Sequence, residues 1–208
     1  MKKIAITQRL TENDSYYEIR ECLDINWGKL LKALDFCPVI IPYEYDFETV
    51  FENIKPDGII LSGGNDLNRI SPSPINKKRD NFEKKIIEYS VSRKLPLLGV
   101  CRGMQIIADY FGCDFYRVSN HAGTSHKITA ENGSKFYNEI KELKEVNSFH
   151  NYAVQNLSNA LTVSAFSEDN TIEAIENKEY KIFGQMWHPE RENPFKPGEL
   201  SLIKRIFE

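Results

Sequence analysis

Short apolar runs alternate with longer amphipathic stretches in the first half of the chain. Each short run is bounded by charged or turn-forming residues, and four are predicted to be strands: 3–7, 38–41, 57–61 and 96–100. Apolar residues at helical spacing predict helices between and after them: 16–34, 47–54, 81–93 and 104–111. Because strands that alternate with helices favour parallel pairing, we expect an open α/β sheet with helices on both faces.

The second half of the chain carries more strand signals than helix signals. Strands are predicted at 114–117, 160–166, 171–175 and 181–187, and a closing helix at 199–207. We expect a small antiparallel ribbon here, beside the mainly parallel sheet. The 208 residues, 41% of them hydrophobic, can bury one sizeable core without an evident linker, so residues 1–208 are predicted to form a single domain.

One cysteine follows a predicted strand and precedes a predicted helix. In Gly99-Val100-Cys101-Arg102-Gly103, glycines two positions before and after Cys101 remove Cβ atoms where the strand and the helix approach each other. This arrangement is typical of a nucleophile elbow. A sulfur at the first turn of a helix also faces unpaired N–H groups and the positive end of the helix dipole, which favour a thiolate. The alternative is a small apolar residue in a buried turn.

Two other strand ends supply what a thiolate nucleophile needs. Acyl transfer requires an imidazole to carry the proton, a carboxylate to orient it and backbone donors for the oxyanion. Gly63 and Gly64 follow the strand at 57–61, and His188-Pro189-Glu190 follows the strand at 181–187. Side chains two apart in an extended segment point to the same side, so we expect His188 and Glu190 to be neighbours, with Pro189 holding the chain extended. Alone, His-Pro-Glu is typical of a surface turn and Gly-Gly of a turn after a strand; together with the cysteine elbow they favour a catalytic site.

Five segments, in chain order, resemble the class I glutamine amidotransferase superfamily and, within it, the γ-glutamyl hydrolase branch: 60–67, 79–83, 99–105, 146–150 and 185–190. The resemblance implies a flavodoxin-like fold and a cysteine-dependent hydrolase, without a cofactor, that cleaves a γ-glutamyl amide and releases L-glutamate.

The resemblance also implies roles for individual residues. Cys101 would attack the γ-carbonyl, His188 would move the proton, and Glu190 would orient His188. The backbone N–H groups of Gly64 and Arg102 would hold the oxyanion. The glutamyl group would be bound near five residues: Gly63, Gln105, Ser148, Phe149 and His150. Two alternatives stay open, a helix-surface position for Gln105 and a structural or rim position for His150.

Three classes of function are compatible with such a chain. The first is a self-sufficient γ-glutamyl hydrolase, including enzymes for γ-glutamyl polyamines or folates. The second is a glutaminase subunit that supplies ammonia to a separate synthetase. The third, a non-catalytic binding module, is expected to lack His188 or Glu190, and both are present. Arg102 resembles the hydrolase branch more than typical glutaminase subunits, which favours the first class.

The leaving group is the least determined part of the substrate. Segments 67–74 and 109–113 depart from the family pattern outside the catalytic residues. Arg102 and Arg191 suit an anionic leaving group such as the diphosphate of a nucleotide, because guanidinium groups match phosphate oxygens, although local salt bridges are an equal alternative. The expected partner is therefore a small γ-glutamyl molecule, with a nucleotide-linked one among the options; the oligomeric state is left open.

Charge and hydropathy exclude several classes of partner. The net charge is −3, with 27 basic residues dispersed among 30 acidic ones, so no nucleic-acid surface is expected. No signal peptide or membrane-length apolar run is present, which predicts a cytoplasmic location without a membrane partner. Cys22, Cys37 and Cys113 are interpreted as structural thiols.

Two further histidines, His121 and His126, are predicted to lie on a loop that borders the leaving-group pocket. No third ligand at useful spacing accompanies them in the sequence, so no metal site is expected.

Overall fold

A nine-stranded mixed sheet forms the centre of the computed structural model, which describes residues 1–208. The strands are β1 (Lys2–Ile6), β2 (Arg9–Glu12), β3 (Ile19–Cys22), β4 (Phe36–Ile40), β5 (Gly58–Leu61), β6 (Leu97–Val100), β7 (Asp114–Arg117), β8 (Ala122–Ala130), β9 (Glu145–Phe149), β10 (Tyr152–Gln155), β11 (Leu161–Ser167), β12 (Ile172–Asn177) and β13 (Ile182–Gln185). The helices are α1 (Asn26–Ala33), α2 (Phe47–Ile54), α3 (Pro74–Arg93), α4 (Arg102–Tyr110), α5 (Tyr137–Lys141) and α6 (Pro197–Ile206).

The central sheet runs in the order β4-β1-β5-β6-β13-β12-β11-β8-β9. Pairing is parallel from β4 to β13 and antiparallel from β13 to β9, so the expected ribbon continues the sheet instead of lying beside it. Two small antiparallel pairs, β2–β3 and β7–β10, lie outside it. The predicted open sheet with an antiparallel part is confirmed.

Alternating side chains of the inner strands enter two apolar cores on opposite faces. Ile4 packs with α1 and α6, whereas Ala5 packs with α2, α3 and α4. Burial on both faces explains why these strands read as continuous apolar runs.

The ends of three neighbouring parallel strands place the candidate motifs together. Leu98 of β6 pairs with Ile60 of β5, and Val100 of β6 pairs with Gln185 of β13. Gly63, Cys101 and His188 therefore follow adjacent strands at the same edge of the sheet, where ligands of open α/β sheets bind.

The predicted helix at 16–34 is wrong over its first half. The structure has the β2–β3 hairpin there, and α1 starts at Asn26. The Asn65 side chain holds this hairpin by accepting from Leu10 N at 3.0 Å and donating to Leu10 O at 2.9 Å. This long-range contact outweighs the local helical spacing.

Two other boundaries differ from expectation. Helix α3 starts at Pro74 and not at 81, because Ser73 caps it by accepting from Asn76 N at 3.2 Å and proline fits a first helical turn. Residues 122–130 form β8, not a loop; most of their side chains are exposed, so no apolar alternation marks the strand. None of the helices combines the length and hydrophobicity that crossing a membrane requires.

Candidate active site

Cys101 lies in a strained turn between β6 and α4. Its φ of 54° and ψ of −108° are unusual for a residue with a side chain. A Cβ on Gly99 would collide with the carbonyl oxygen of Gly103, and a Cβ on Gly103 would collide with that of Leu61. The two glycines thus permit the turn that sets Cys101 at the first turn of α4.

His188 contacts both other members of the candidate triad. Its Nδ1 lies 2.6 Å from Glu190 Oε1, and both side chains are buried. Burial alone would lower the pKa of His188, but the negative charge of the Cys101 sulfur, its hydrogen bond to the imidazole and the Glu190 carboxylate raise that pKa to about 9. The arrangement therefore favours the protonated imidazole of His188 at neutral pH.

The local conformation that brings His188 and Glu190 together differs from the expectation. Pro189 does not hold the chain extended; residues Pro189–Arg191 form a short 3-10 turn. Proline suits the first position of such a turn because its φ is already helical.

Asn147 of β9 holds the backbone of His188, a role that the sequence analysis missed. Its Nδ2 donates to His188 O at 2.9 Å, and its Oδ1 accepts from His188 N at 2.9 Å. The sequence signal for this role is the position of Asn147 in segment 146–150, one of the five segments that carry the family resemblance.

The candidate oxyanion loop is packed tightly against the triad. A Cβ on Gly63 would lie 2.8 Å from His188 Cε1, and Gly64 has a φ of +80°. The buried guanidinium of Arg79 donates to the carbonyls of Ser62 at 2.7 Å and Gly63 at 3.1 Å, and also to that of Gly64. Because the C=O and N–H of a trans peptide point in opposite directions, this clamp turns the N–H of Gly64 away from Arg79.

The Arg102 side chain points into the interior and forms ion pairs with Asp80 and Glu83. Together with Arg79 these residues make a buried group that we call the arginine cluster: Arg79, Asp80, Glu83 and Arg102. Burial alone would raise the pKa of Glu83, but the two guanidinium groups hold it below its usual range. The Arg102 guanidinium is therefore not a phosphate contact, and the local salt-bridge alternative holds; its backbone N–H stays at the start of α4.

A cavity of about 310 Å³ opens at the sulfur of Cys101. Candidate residues lining it are Gly64, Cys101, Arg102, Gln105, Phe149, His150, His188 and Arg191. Gln105 is buried, not on the helix surface, and its Nε2 donates to Tyr152 O at 2.9 Å. Gly63 lines a smaller adjoining cleft with His188 and Glu190.

The candidate residues of segment 148–150 differ in their access to the cavity. Phe149 is 43% exposed at the rim, with the Arg191 guanidinium 4.4 Å above its ring. Ser148 is fully buried and does not line the cavity, because its hydroxyl donates to His121 O at 2.6 Å. Any contact of Ser148 with a substrate would involve its backbone.

A strained cysteine turn, a buried histidine–carboxylate pair and a Gly-Gly loop at one edge of an α/β sheet define a cysteine hydrolase or amidotransferase of the expected class. Residues 4–190 match the peptidase C26 family model, and the chain belongs to this family of amide-bond hydrolases.

Individual relatives agree with this membership. The chain is 46% identical to the γ-glutamyl-CDP-amidate hydrolase of Campylobacter jejuni, over 98% of this chain and 96% of the relative. It is 33% identical to anthranilate synthase component 2 of Saccharolobus solfataricus, over 79% of this chain and 83% of the relative. A glutamine amidotransferase from Thermotoga maritima shares the fold, with a TM-score of 0.70 at 17% identity over 99% of this chain and 97% of its own.

Proposed function

We propose that this protein hydrolyses the γ-glutamyl amide bond of γ-glutamyl-CDP-amidate and releases L-glutamate and cytidine diphosphoramidate, a reaction of capsular polysaccharide modification. The observation that carries the proposal is the 46% identity to an enzyme named for this substrate over nearly the whole of both chains. Residues 1–208 act in this proposal as one catalytic domain.

The first half-reaction forms an acyl-enzyme. The thiolate of Cys101 attacks the γ-carbonyl carbon, a C–S bond forms, and the carbonyl electron pair moves to an oxygen held by the N–H groups of Gly64 and Arg102. Collapse of this intermediate breaks the C–N bond. His188, kept in position by Glu190 at 2.6 Å, gives its proton to the departing nitrogen.

The second half-reaction returns the enzyme. His188 takes a proton from water, the resulting hydroxide attacks the thioester carbon, and the C–S bond breaks to regenerate the thiolate and release glutamate. Neither half-reaction needs a redox partner.

The cavity offers separate contacts for the two ends of this substrate. Gln105 and the backbone of 148–150 face the proposed glutamyl end. Arg191, 36% exposed at the rim, is the candidate contact for the diphosphate, because its planar guanidinium fits phosphate oxygens. Binding energy from this remote part of the substrate can raise specificity above that for glutamine, which lacks it.

The test is a substrate panel with mass-spectrometric detection of products. Purified protein is given γ-glutamyl-CDP-amidate, glutamine, a γ-glutamyl polyamine and a γ-glutamyl folate. We expect the nucleotide substrate to have the highest kcat/KM, and Cys101→Ala to be inactive while matched Cys113→Ala, at another buried cysteine, retains activity.

Two results would contradict this proposal. Equal kcat/KM for glutamine, or strong activation by an added synthetase, would assign the chain to the ammonia-supplying subunits. A preference for the polyamine or folate compound would keep the γ-glutamyl chemistry and change the leaving group.

A further inference from the structure

Three of the four histidines converge with a buried glutamate beside the candidate active site. His121 precedes β8, His126 lies within it, His150 follows β9, and Glu173 lies on β12. Their ring nitrogens surround one carboxylate oxygen, Glu173 Oε1: His121 Nδ1 at 3.3 Å, His126 Nε2 at 3.4 Å and His150 Nε2 at 3.3 Å. We call these four residues the histidine cluster.

The facing atoms of the histidine cluster lack hydrogen-bond partners. His121 Nδ1, His126 Nε2, His150 Nε2 and both oxygens of Glu173 are all buried without one. Glu173 itself is fully buried, and a buried carboxylate without compensation is costly. The geometry requires a cation or protons at the centre of the cluster.

Hydrogen bonds on the far side of two imidazoles determine which ring nitrogen of the neutral side chain directs its lone pair toward Glu173. His121 Nε2 lies 3.0 Å from Asp169 Oδ2, so a neutral imidazole that donates there presents its Nδ1 lone pair toward Glu173. His150 Nδ1 lies 3.2 Å from the carbonyl oxygen of Tyr152 and donates to it, so the neutral ring presents its Nε2 lone pair toward Glu173. A carboxylate or carbonyl behind the imidazole is the usual support of a histidine that binds a metal.

Three of the six ligand–ligand distances match the edges of a tetrahedral zinc site. Zn–N and Zn–O bonds of about 2.0–2.1 Å place neighbouring ligand atoms about 3.3–3.4 Å apart. The three nitrogen–oxygen separations have these values, and the donor atoms of His121, His150 and Glu173 all lie within 4.8 Å of one another. We propose that His121, His126, His150 and Glu173 bind one Zn²⁺.

Four protein ligands make this a closed, structural site. The metal would join β8, β9 and β12 directly behind segment 148–150, whose His150 lines the active-site cavity. A separate opening of about 240 Å³, lined by His121, His126 and Asp169, gives the ion a path from solvent. This proposal replaces the expectation of no metal, which considered only ligands near His121 and His126 in the sequence.

The test is the metal content of the full-length protein purified from zinc-supplemented culture. We expect close to one zinc per chain by mass spectrometry, and less than a tenth of that in Glu173→Gln and His126→Gln. The matched control is His188→Ala, the one histidine outside the histidine cluster, which keeps its zinc and loses hydrolysis. Failure of the zinc site and failure of the proposed reaction are thereby separated.

Two further measurements keep the proposal testable if ligand variants do not fold. Wild-type protein stripped with a chelator and given Co²⁺ should develop the visible absorption of tetrahedral cobalt. Asp169→Asn, which removes the negative charge behind His121, should weaken zinc binding about 10- to 100-fold in chelator competition. Wild-type protein without zinc and without the cobalt spectrum would overturn the proposal and leave imidazolium protons to balance Glu173.

Discussion

Two buried clusters of charged side chains flank the candidate site, and they balance their charges in different ways. In the arginine cluster every charged group meets an opposite charge: Glu83 pairs with Arg79 at 3.1 Å and with Arg102, which also pairs with Asp80. In the histidine cluster the Glu173 carboxylate faces imidazole nitrogens without hydrogen-bond geometry. The first cluster is complete within the chain, whereas the second, in our proposal, takes a metal cation from outside.

The two clusters support different walls of the cavity. The arginine cluster holds the carbonyls of Ser62 and Gly63 and anchors Arg102, so it fixes both candidate oxyanion donors. The histidine cluster lies behind segment 148–150 on the proposed glutamyl side. Oxyanion geometry should therefore be independent of metal supply, and the glutamyl side should depend on it.

The largest expected effect belongs to the triad between the two clusters. His188→Ala removes the proton carrier and should lower kcat by several orders of magnitude. Glu190→Gln removes orientation and charge support, so its loss should be roughly a hundredfold smaller. Steady-state kinetics checks both; wild-type rates in His188→Ala would refute the assignment, whatever the state of either cluster.

Breaking the arginine cluster should cost the most stability. Arg102→Met leaves Asp80 without its ion-pair partner and Glu83 with Arg79 alone, so one buried negative charge is uncompensated, and we expect a loss of about 3–5 kcal/mol in the free energy of unfolding. The matched control is Arg191→Met at the exposed rim, with an expected loss of about 1 kcal/mol or less. Urea unfolding measures both, and equal losses would mean that the arginine cluster contributes no more than a surface contact.

Removal of the metal tests whether the histidine cluster depends on a bound ion. A ligand present at 100 times its Kd stabilises the folded state by about 2.7 kcal/mol, which for a chain of this size corresponds to about 5–10 °C in Tm. A chelator should lower the wild-type Tm by this amount, and Glu173→Gln should not respond. An unchanged wild-type Tm would mean that the histidine cluster, like the arginine cluster, does not depend on a bound metal.

The pH dependence of kcat/KM tests the titration of His188 in the candidate triad. Because His188 must carry a proton for the leaving nitrogen and its pKa is raised to about 9, kcat/KM should fall about tenfold per unit as pH rises above 9. In Cys101→Ala the sulfur charge is gone, so NMR should find a lower pKa for His188. An unchanged pKa there would contradict the thiolate–imidazolium pair.

The sequence predicts well which motifs meet at one edge of the sheet and predicts the two clusters poorly, for physical reasons. Consecutive parallel strands end at one edge, so Cys101, Gly64 and His188 are placed together by strand order alone. The Arg102 side chain turns inward to Asp80 and Glu83, while its backbone N–H remains a candidate oxyanion donor. The sequence motif does not distinguish these two parts of the residue. The residues of the histidine cluster come from in and around β8, β9 and β12, which are separated in sequence, and exposed side chains hide β8 from a hydrophobic pattern.

The smallest expected effect concerns Arg191, an arginine at the rim of the cavity that belongs to neither cluster. Its guanidinium lies over Phe149, with only a 3.7 Å approach to Glu190, so it is available to a ligand. Arg191→Met should raise KM for γ-glutamyl-CDP-amidate by about tenfold or less, since a partly exposed charge contact contributes about 1 kcal/mol. Hydrolysis of glutamine, which has no phosphate, should be nearly unchanged. An equal rise in KM for both substrates would place Arg191 at the glutamyl end, on the side of the cavity that the histidine cluster supports.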